Sequence, residues 1–210
     1  MVPTVPLPRR PFDPGDPIDP VHQWYENELE WAAVPGSPVR LVTGLRFDVL
    51  EVPAEAGFAA LRHLGPASPV ALHGERMRLL VAAGSAEELP GLLDWLEWGA
   101  LALDLTAIGA GGSIEAPPPP DPGVAPGLGA PVPSGPETRR GPRGAAHWLQ
   151  PPEPGREVEP ALPTLSALGG GAAGGGVGGA PDLVRLVQTM ATQCHRVRLR
   201  RACAQPLAVS

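Results

Sequence analysis

The sequence predicts an α+β fold, in which two or three helices pack on a small mixed or antiparallel sheet between proline- and glycine-rich flanks. The first observation is that apolar residues between Val39 and Pro120 recur as strand, helix, hairpin, helix and hairpin patterns. The second is composition, because 27 glycines and 30 prolines in 210 residues approach the share that indicates low complexity. We therefore expect one small domain with disordered flanking segments.

Composition shifts divide the chain into four predicted segments. Seven prolines between residues 3 and 20 block helices and sheet ladders, so 1–20 is predicted to be a disordered proline-rich arm. Residues 21–120 form the predicted α+β domain, and 121–180 a Pro/Gly-rich linker with a small apolar island at His147-Trp148-Leu149. Residues 181–204 are predicted to form a C-terminal helix with a basic end.

The first half of the domain has a helix, a strand region and a second helix. A helix is predicted over 22–33, with Trp24 and Trp31 docking one face on the core. Strand-forming residues follow over 39–52, with a turn at Thr43-Gly44. A helix over 54–64 is predicted to bury Phe58, Leu61 and Leu64.

The second half continues with a hairpin, a helix and a last hairpin. The first hairpin joins 70–72 to 77–82. The helix begins at Ser85, as a capping box, or at Pro90, and is predicted to end at Gly99. The predicted buried side of this helix is extended laterally by Trp95 and Trp98, and it consists of Leu89, Leu92, Leu93 and Leu96. The last hairpin is predicted to join 101–105 to 113–116.

Charge and hydropathy restrict the class of protein. The formal net charge is −6, which provides no general attraction to a phosphate backbone and leaves only a local patch for nucleic acid. There is no run of about 18 apolar residues and no signal-peptide pattern, so we expect a cytoplasmic protein without membrane contact. Cys194 and Cys203 are expected to be reduced thiols, because their spacing on a helix places them on opposite sides.

Two motifs around acidic residues carry a resemblance to a known family. Val42-Thr43-Gly44 leads into Phe47-Asp48-Val49, and Leu103-Asp104-Leu105 leads through Gly111-Gly112 to Ile114-Glu115-Ala116-Pro117-Pro118. Their order and spacing resemble the N-terminal domain of bifunctional DNA primase/polymerases (prim-pol) of the archaeo-eukaryotic primase superfamily, in the short stand-alone form of actinobacteria. The similarity covers roughly two fifths of the chain.

This resemblance implies a set of functional residues. Asp48 and Asp104 would be catalytic and would hold Mg²⁺ or Mn²⁺, with Glu51 as a substitute third ligand. Thr43, Gly44, Arg76 and Arg78 would bind the nucleotide. The sequence departs from the family pattern at Leu50, where a second acid is expected, and at Met77, where a phosphate-binding histidine is expected. The nearby His73 does not restore that pattern.

The leading hypothesis is therefore a catalytically degenerate prim-pol-like protein with a nucleotide-binding, nucleic-acid-binding or regulatory role in DNA replication. One alternative is an active metal-dependent DNA primase/polymerase. Another is an interaction module that recruits a protein partner through proline-rich ends such as Pro3-Thr4-Val5-Pro6. The basic cluster of the last helix has two interpretations, a phosphate-binding tail or a favourable interaction with the helix dipole; it contains Arg196, Arg198, Arg200 and Arg201.

Overall fold

The structure is a computed structural model, and it describes residues 19–120, 144–165 and 181–203. Within these ranges the chain forms four α-helices and two antiparallel sheets, so the predicted α+β class is confirmed. Nearly all of the predicted 1–20 arm, with its PxxP sequences, lies outside the described residues. Most of the predicted linker, including its glycine tract, lies outside them too.

The larger sheet has five strands in the order β6-β3-β5-β4-β8. Its centre is the antiparallel pair β3 (Phe47–Pro53) and β5 (Arg76–Ala82). The predicted hairpin is confirmed, because β4 (Val70–His73) pairs with β5 through a turn in which Gly74 has φ +59°. The edge strands are β6 (Thr106–Ile108) and β8 (Ala146–Gln150).

The smaller sheet contains β1 (Ala33–Val34), β2 (Arg40–Val42) and β7 (Ser113–Glu115). The chain passes from one sheet to the other three times, from β2 to β3, from β6 to β7 and from β7 to β8. The first two passages are the crossover turns. The predicted last hairpin is therefore wrong, since β6 pairs with β3 whereas β7 pairs with β2. Both β6 and β7 pair with strands that are distant in the sequence, and local periodicity does not predict such pairings.

Three helices cover one face of the larger sheet: α2 (Ala54–Ala60), α3 (Ser85–Trp95) and α4 (Leu183–Cys203). Alternation along the strands sends every second side chain to this face. The buried cluster includes Leu50, Val52, Met77, Leu79, Val81, Leu186, Met190 and Val197. The packed core thus extends past residue 120, because α4 supplies much of this cluster and β8 completes the sheet.

A second core lies on the opposite face of β3 and β5. It begins with α1 (Pro20–Gln23), which continues as a π-helical turn over Trp24–Glu28. The predicted helix over 22–33 stops there, because Glu30 adopts φ +56° and turns the chain. Trp31 is buried beyond the helix, with its ring centroid 4.7 Å from that of Phe47, so it packs on the core as predicted but not from a helix face shared with Trp24.

Two predicted core positions are exposed. Phe58 is 52% exposed, since α2 approaches the sheet through Ala56, Gly57 and Ala60 instead. This approach is so close that a Cβ on Gly57 would overlap the sulfur of Met77. Trp95 is 68% exposed; it is the last residue of α3, which was predicted to end at Gly99.

Candidate functional site

Thr43 and Gly44, predicted to bind a nucleotide, lie at the first crossover between the sheets. The Thr43 hydroxyl donates to the carbonyl of Gly109 at 2.6 Å, and Thr43 is buried. Gly44 has φ +86°, and a Cβ there would overlap the Cα of Ala110. These contacts join the first crossover turn to the second, so both residues are used by the fold.

Asp48 is buried against the start of α3. Its Oδ2 accepts a hydrogen bond from the amide of Ala86 at 2.9 Å, and only 1% of the residue is exposed. A carboxylate in this position satisfies a free amide of the first helical turn and interacts favourably with the helix dipole. Oδ1 is enclosed without a hydrogen-bond partner among the described residues. The geometry gives Asp48 a capping role.

The predicted convergence of Asp48 with Asp104 is not found. Asp48 lies on the helix face of β3, and Glu51 lies three residues later on the opposite face. Asp104 precedes β6, whose Thr106 pairs with Glu51. Three residues along a strand span roughly 10 Å, so Asp104 lies near the Glu51 end of β3, away from Asp48.

Glu51 and Asp104 are instead brought together by an arginine. The guanidinium of Arg76 lies between them, with Nε 3.2 Å from Glu51 Oε1 and Nη1 2.5 Å from Asp104 Oδ1. Arg78 Nε contacts the other oxygen of Glu51 at 2.7 Å. The strand register causes this arrangement, since Arg78 pairs directly with Glu51 and alternation places Arg76 on the same face. We call these four residues the carboxylate–arginine network.

The negative charge of Glu51 is stabilised by its arginine partners. The side chains of Glu51 and Arg78 are 18% and 10% exposed. Burial by itself would raise the pKa of Glu51, but hydrogen bonds and charge from Arg78 and Arg76 outweigh it and hold that pKa below its usual value. Glu51 is therefore ionised at neutral pH and paired with two arginines.

The network continues to the smaller sheet through His73, whose part in it the sequence analysis missed. Arg78 Nη2 donates to His73 Nδ1 at 3.1 Å, and His73 Nε2 lies 3.4 Å from Glu115 Oε2. A guanidinium only donates, so Nδ1 is the acceptor and the ring proton is on Nε2. The predicted β4-β5 hairpin could have indicated that His73 lies near these arginines, because its register pairs His73 with Arg76.

The three predicted metal ligands do not fit a shared divalent ion. Such a site needs carboxylate oxygens that converge on one point, whereas Asp48 caps a helix and the other two acids hold Arg76. Among the described residues, no three His, Cys, Asp or Glu side chains are grouped so that they could hold a metal ion. The positions that depart from the family pattern, Leu50 and Met77, are wholly buried in the core.

The basic end of α4 reaches Asp104. Arg201 Nη1 lies 4.0 Å from Asp104 Oδ2, and Arg198 Nη1 donates to the carbonyl of Ala102. Arg200 pairs with Glu55 of α2 at 2.5 Å. Arg196 is exposed and has no ion pair among the described residues. Three of the four predicted nucleic-acid-binding arginines thus fasten α4 to the rest of the domain.

A cavity of about 300 Å³ lies between α4 and the segment 102–104. Its charged lining residues are Asp104, Arg198 and Arg201, and Arg76 reaches the same aspartate. Cys194 also lines it; the thiol donates to the Asp104 carbonyl at 3.4 Å. Burial, followed by the charge of Asp104, raises the pKa of Cys194 to about 11, so the thiol is protonated at neutral pH. We call this cavity the arginine pocket.

Neither cysteine is in a disulfide, as predicted. Among the described helices, none has both the length and the apolar character needed to cross a membrane. No family model, no curated protein and no solved structure matches the chain.

Proposed function

We propose that this is a prim-pol-like protein without metal-dependent nucleotidyl transfer, which binds the phosphates of a nucleotide or nucleic acid and has a regulatory role. The prim-pol part of the proposal rests on the motifs around Asp48 and Asp104. The observation that carries the loss of catalysis is the position of the Arg76 guanidinium between Glu51 and Asp104. An internal cation takes two of the three carboxylates that were predicted to hold Mg²⁺ or Mn²⁺.

The arginine pocket supports the binding part of the proposal. Two arginines, Arg198 and Arg201, and one exposed carboxylate, Asp104, line the pocket, so its lining has an excess of positive charge in a chain whose formal net charge is −6. Guanidinium groups match phosphate oxygens in geometry and charge. The volume of about 300 Å³ is at the lower end of small-molecule sites and suits a phosphate group with part of its sugar.

The test is calorimetric titration with a deoxynucleoside triphosphate, with and without Mn²⁺. We expect binding that needs no metal, weakens with salt, and is abolished in the Arg198→Ala/Arg201→Ala variant. The matched control is Arg156→Ala/Arg185→Ala, which removes the same charge from two exposed arginines outside the pocket. The Asp48→Ala/Asp104→Ala variant should retain binding.

The opposite result would favour the active primase/polymerase. Binding that requires Mn²⁺ and disappears in the Asp48→Ala/Asp104→Ala variant, together with primer extension by the wild type, would overturn the proposal. Absence of any triphosphate binding by folded wild-type protein would reject the phosphate site and favour the proline-rich interaction module.

A further inference from the structure

A second cavity, of about 620 Å³, lies beside the second core. It shares no lining residue with the arginine pocket. Its volume is in the middle of the range for binding sites of small ligands and short peptide segments. We call this cavity the proline groove, because its apolar lining combines two core residues with four prolines: Trp31, Val158, Pro66, Pro152, Pro160 and Pro181.

Hydrogen bonds hold the walls of the proline groove at a fixed separation. One wall is the loop before β4 and the other is the segment that follows β8. The Ser68 hydroxyl donates to the carbonyl of Ala161 at 2.6 Å, and the Gln150 amide donates to the carbonyl of Gly65 at 2.8 Å. The walls therefore cannot close on each other to bury their apolar surface, and a ligand that enters finds a preformed site.

Trp31 gives the groove an aromatic ring with a hydrogen-bond donor. The indoles of Trp98 and Trp148 donate to Gln188 and Tyr25, whereas the Nε1–H of Trp31 has no acceptor among the described residues. A ligand that carries carbonyl groups on an apolar body would satisfy this donor. A polyproline-type peptide is such a ligand, because its carbonyls make no internal hydrogen bonds, and aromatic-lined grooves recognise it.

The chain's own proline-rich arm begins close enough to reach the groove. Leu29 lines the groove, and the carbonyl of Glu28 accepts from the amide of Gly155 in its wall at 3.2 Å. The helical segment that ends there starts after Asp19, about 15 Å away. Polyproline-type chain spans about 3.1 Å per residue. The eight steps from Pro11 to Asp19 therefore cover about 25 Å, which is enough to return to the groove.

The charges of the groove and the arm are complementary. Glu153 and Glu157 line the groove together with one arginine, Arg156, which pairs with Glu153 at 2.5 Å. Glu157 is exposed and makes no ion pair among the described residues. The arm has two adjacent arginines between prolines, in the sequence Pro6-Leu7-Pro8-Arg9-Arg10-Pro11. A guanidinium from this sequence would pair with the unpaired acid.

We infer that residues 6–11 of the arm dock in the proline groove of the same chain, with their prolines against Trp31 and an arginine at Glu157. A short tether gives an effective concentration on the order of millimolar, so contacts that are weak between separate molecules keep the groove occupied within one chain. The docked arm competes with any other proline-rich segment for the groove. This inference does not depend on the phosphate site, which lies in the other cavity.

The test is photo-crosslinking in the full-length chain, with p-benzoylphenylalanine in place of Leu7. We expect crosslinks within one chain to residues 65–67 and 152–161, identified by mass spectrometry of the monomer band. Arg9→Glu/Arg10→Glu should reduce the crosslinked fraction about threefold or more, because both charges become repulsive toward the groove. Arg139→Glu/Arg140→Glu is the matched control, since it reverses an arginine pair that also lies between prolines, and it should crosslink as the wild type does.

A charge exchange tests the predicted ion pair directly. Glu157→Arg should also reduce crosslinking to the groove, and Glu157 is exposed, so this variant should fold as the wild type does. Combining Glu157→Arg with Arg9→Glu/Arg10→Glu should restore the crosslinks, because the opposite charges face each other again. A restoration of this kind requires that the arm and the groove be in contact.

Three outcomes would overturn the inference. The first is an absence of crosslinks to the two walls, or crosslinks spread evenly over the surface. The second is crosslinks to the groove that form only between two chains, which would make the arm a ligand for a second copy. The third is an equal effect of the Arg9→Glu/Arg10→Glu and Arg139→Glu/Arg140→Glu variants, which would reject the ion pair with Glu157 and with it the docking of residues 6–11.

Discussion

The two ends of β3 each carry an acidic residue that was predicted to bind a metal ion, and the fold uses the two acids differently. At the first end, Asp48 is buried and its carboxylate accepts a backbone amide of α3. At the other end, Glu51 is held by Arg76 and Arg78, and the side chain of Asp104 remains 46% exposed. The same functional group therefore caps a helix at one end and balances arginines at the other.

The neighbours decide this difference. A helix N-terminus presents free amides with partial positive charge, which one carboxylate satisfies within the fold. Each guanidinium group on a strand carries a full positive charge and several N–H donors. A pair of them therefore binds carboxylates from more than one secondary-structure element. We therefore expect substitution of Asp48 to change stability alone, substitution of the buried Glu51 to change stability most, and substitution of the exposed Asp104 to change mainly binding.

The largest effect should come from Glu51→Ala. Removing this acid leaves Arg78 buried without its carboxylate partner, which we expect to lower the free energy of unfolding by about 3 kcal/mol. Urea denaturation measures it. The comparison is Glu159→Ala, which breaks the exposed Arg46–Glu159 pair and should cost less than about 1 kcal/mol. Equal losses in the two variants would contradict the buried pairing.

Gly44→Ala should be next. The new Cβ would overlap the Ala110 backbone in addition to adopting φ +86°, so we expect a loss of about 2 kcal/mol or more. Gly111→Ala is the control, since Gly111 has φ +75° with nothing near its Cβ and should cost about 1 kcal/mol. If thermal unfolding showed Gly111→Ala to be the worse variant, the packing of the two crossover turns would be incorrect.

Asp48→Ala should lower stability by about 1–2 kcal/mol, because the Ala86 amide loses its acceptor. Asp48→Asn keeps an acceptor oxygen and removes a buried charge, so it should be close to the wild type. Both variants should bind triphosphate as the wild type does when measured by calorimetry. A loss of binding in folded Asp48→Asn would show that this carboxylate has a ligand role.

The decrease in the free energy of unfolding at acidic pH should depend on Glu51. Its pKa is lower in the folded chain than in the unfolded chain, so the ionised form stabilises the fold at pH values above the usual glutamate range. This contribution is lost as the pH falls through the unfolded pKa of about 4.3 toward the lower folded value. Chemical denaturation between pH 7 and 3 should therefore show a shallower decline in Glu51→Gln, and an unchanged slope would contradict the ion pairing.

Asp104→Ala should change stability least, by less than about 1 kcal/mol, because its ion pairs are exposed. It should also bind triphosphate about fivefold more tightly, since the only carboxylate lining the described arginine pocket is removed. Calorimetry decides between this and the catalytic hypothesis, for which loss of Asp104 would weaken binding.

Much of the secondary structure was predictable because it depends on local periodicity. The β4-β5 hairpin and one of the two predicted starts of α3, Ser85, follow from residues within a few positions of each other. The predicted capping box at Ser85 is wrong, because the N-cap of α3 is Gly84. Phe58 and Trp95 were placed wrongly in the core because burial depends on which face the neighbouring elements cover. The site was harder still, because Glu51 and Arg78 are joined by a strand register that no local pattern specifies.

The sequence by itself determined the α+β class and the order of the central elements. These follow from composition and from contacts between near neighbours in the chain. Only the tertiary structure decided that the two crossover turns join separate sheets, that Asp48 caps α3, and that Arg76 lies between Glu51 and Asp104. Each of these depends on pairing between distant segments, where the free energy comes from long-range packing and from charges that meet only in the folded chain.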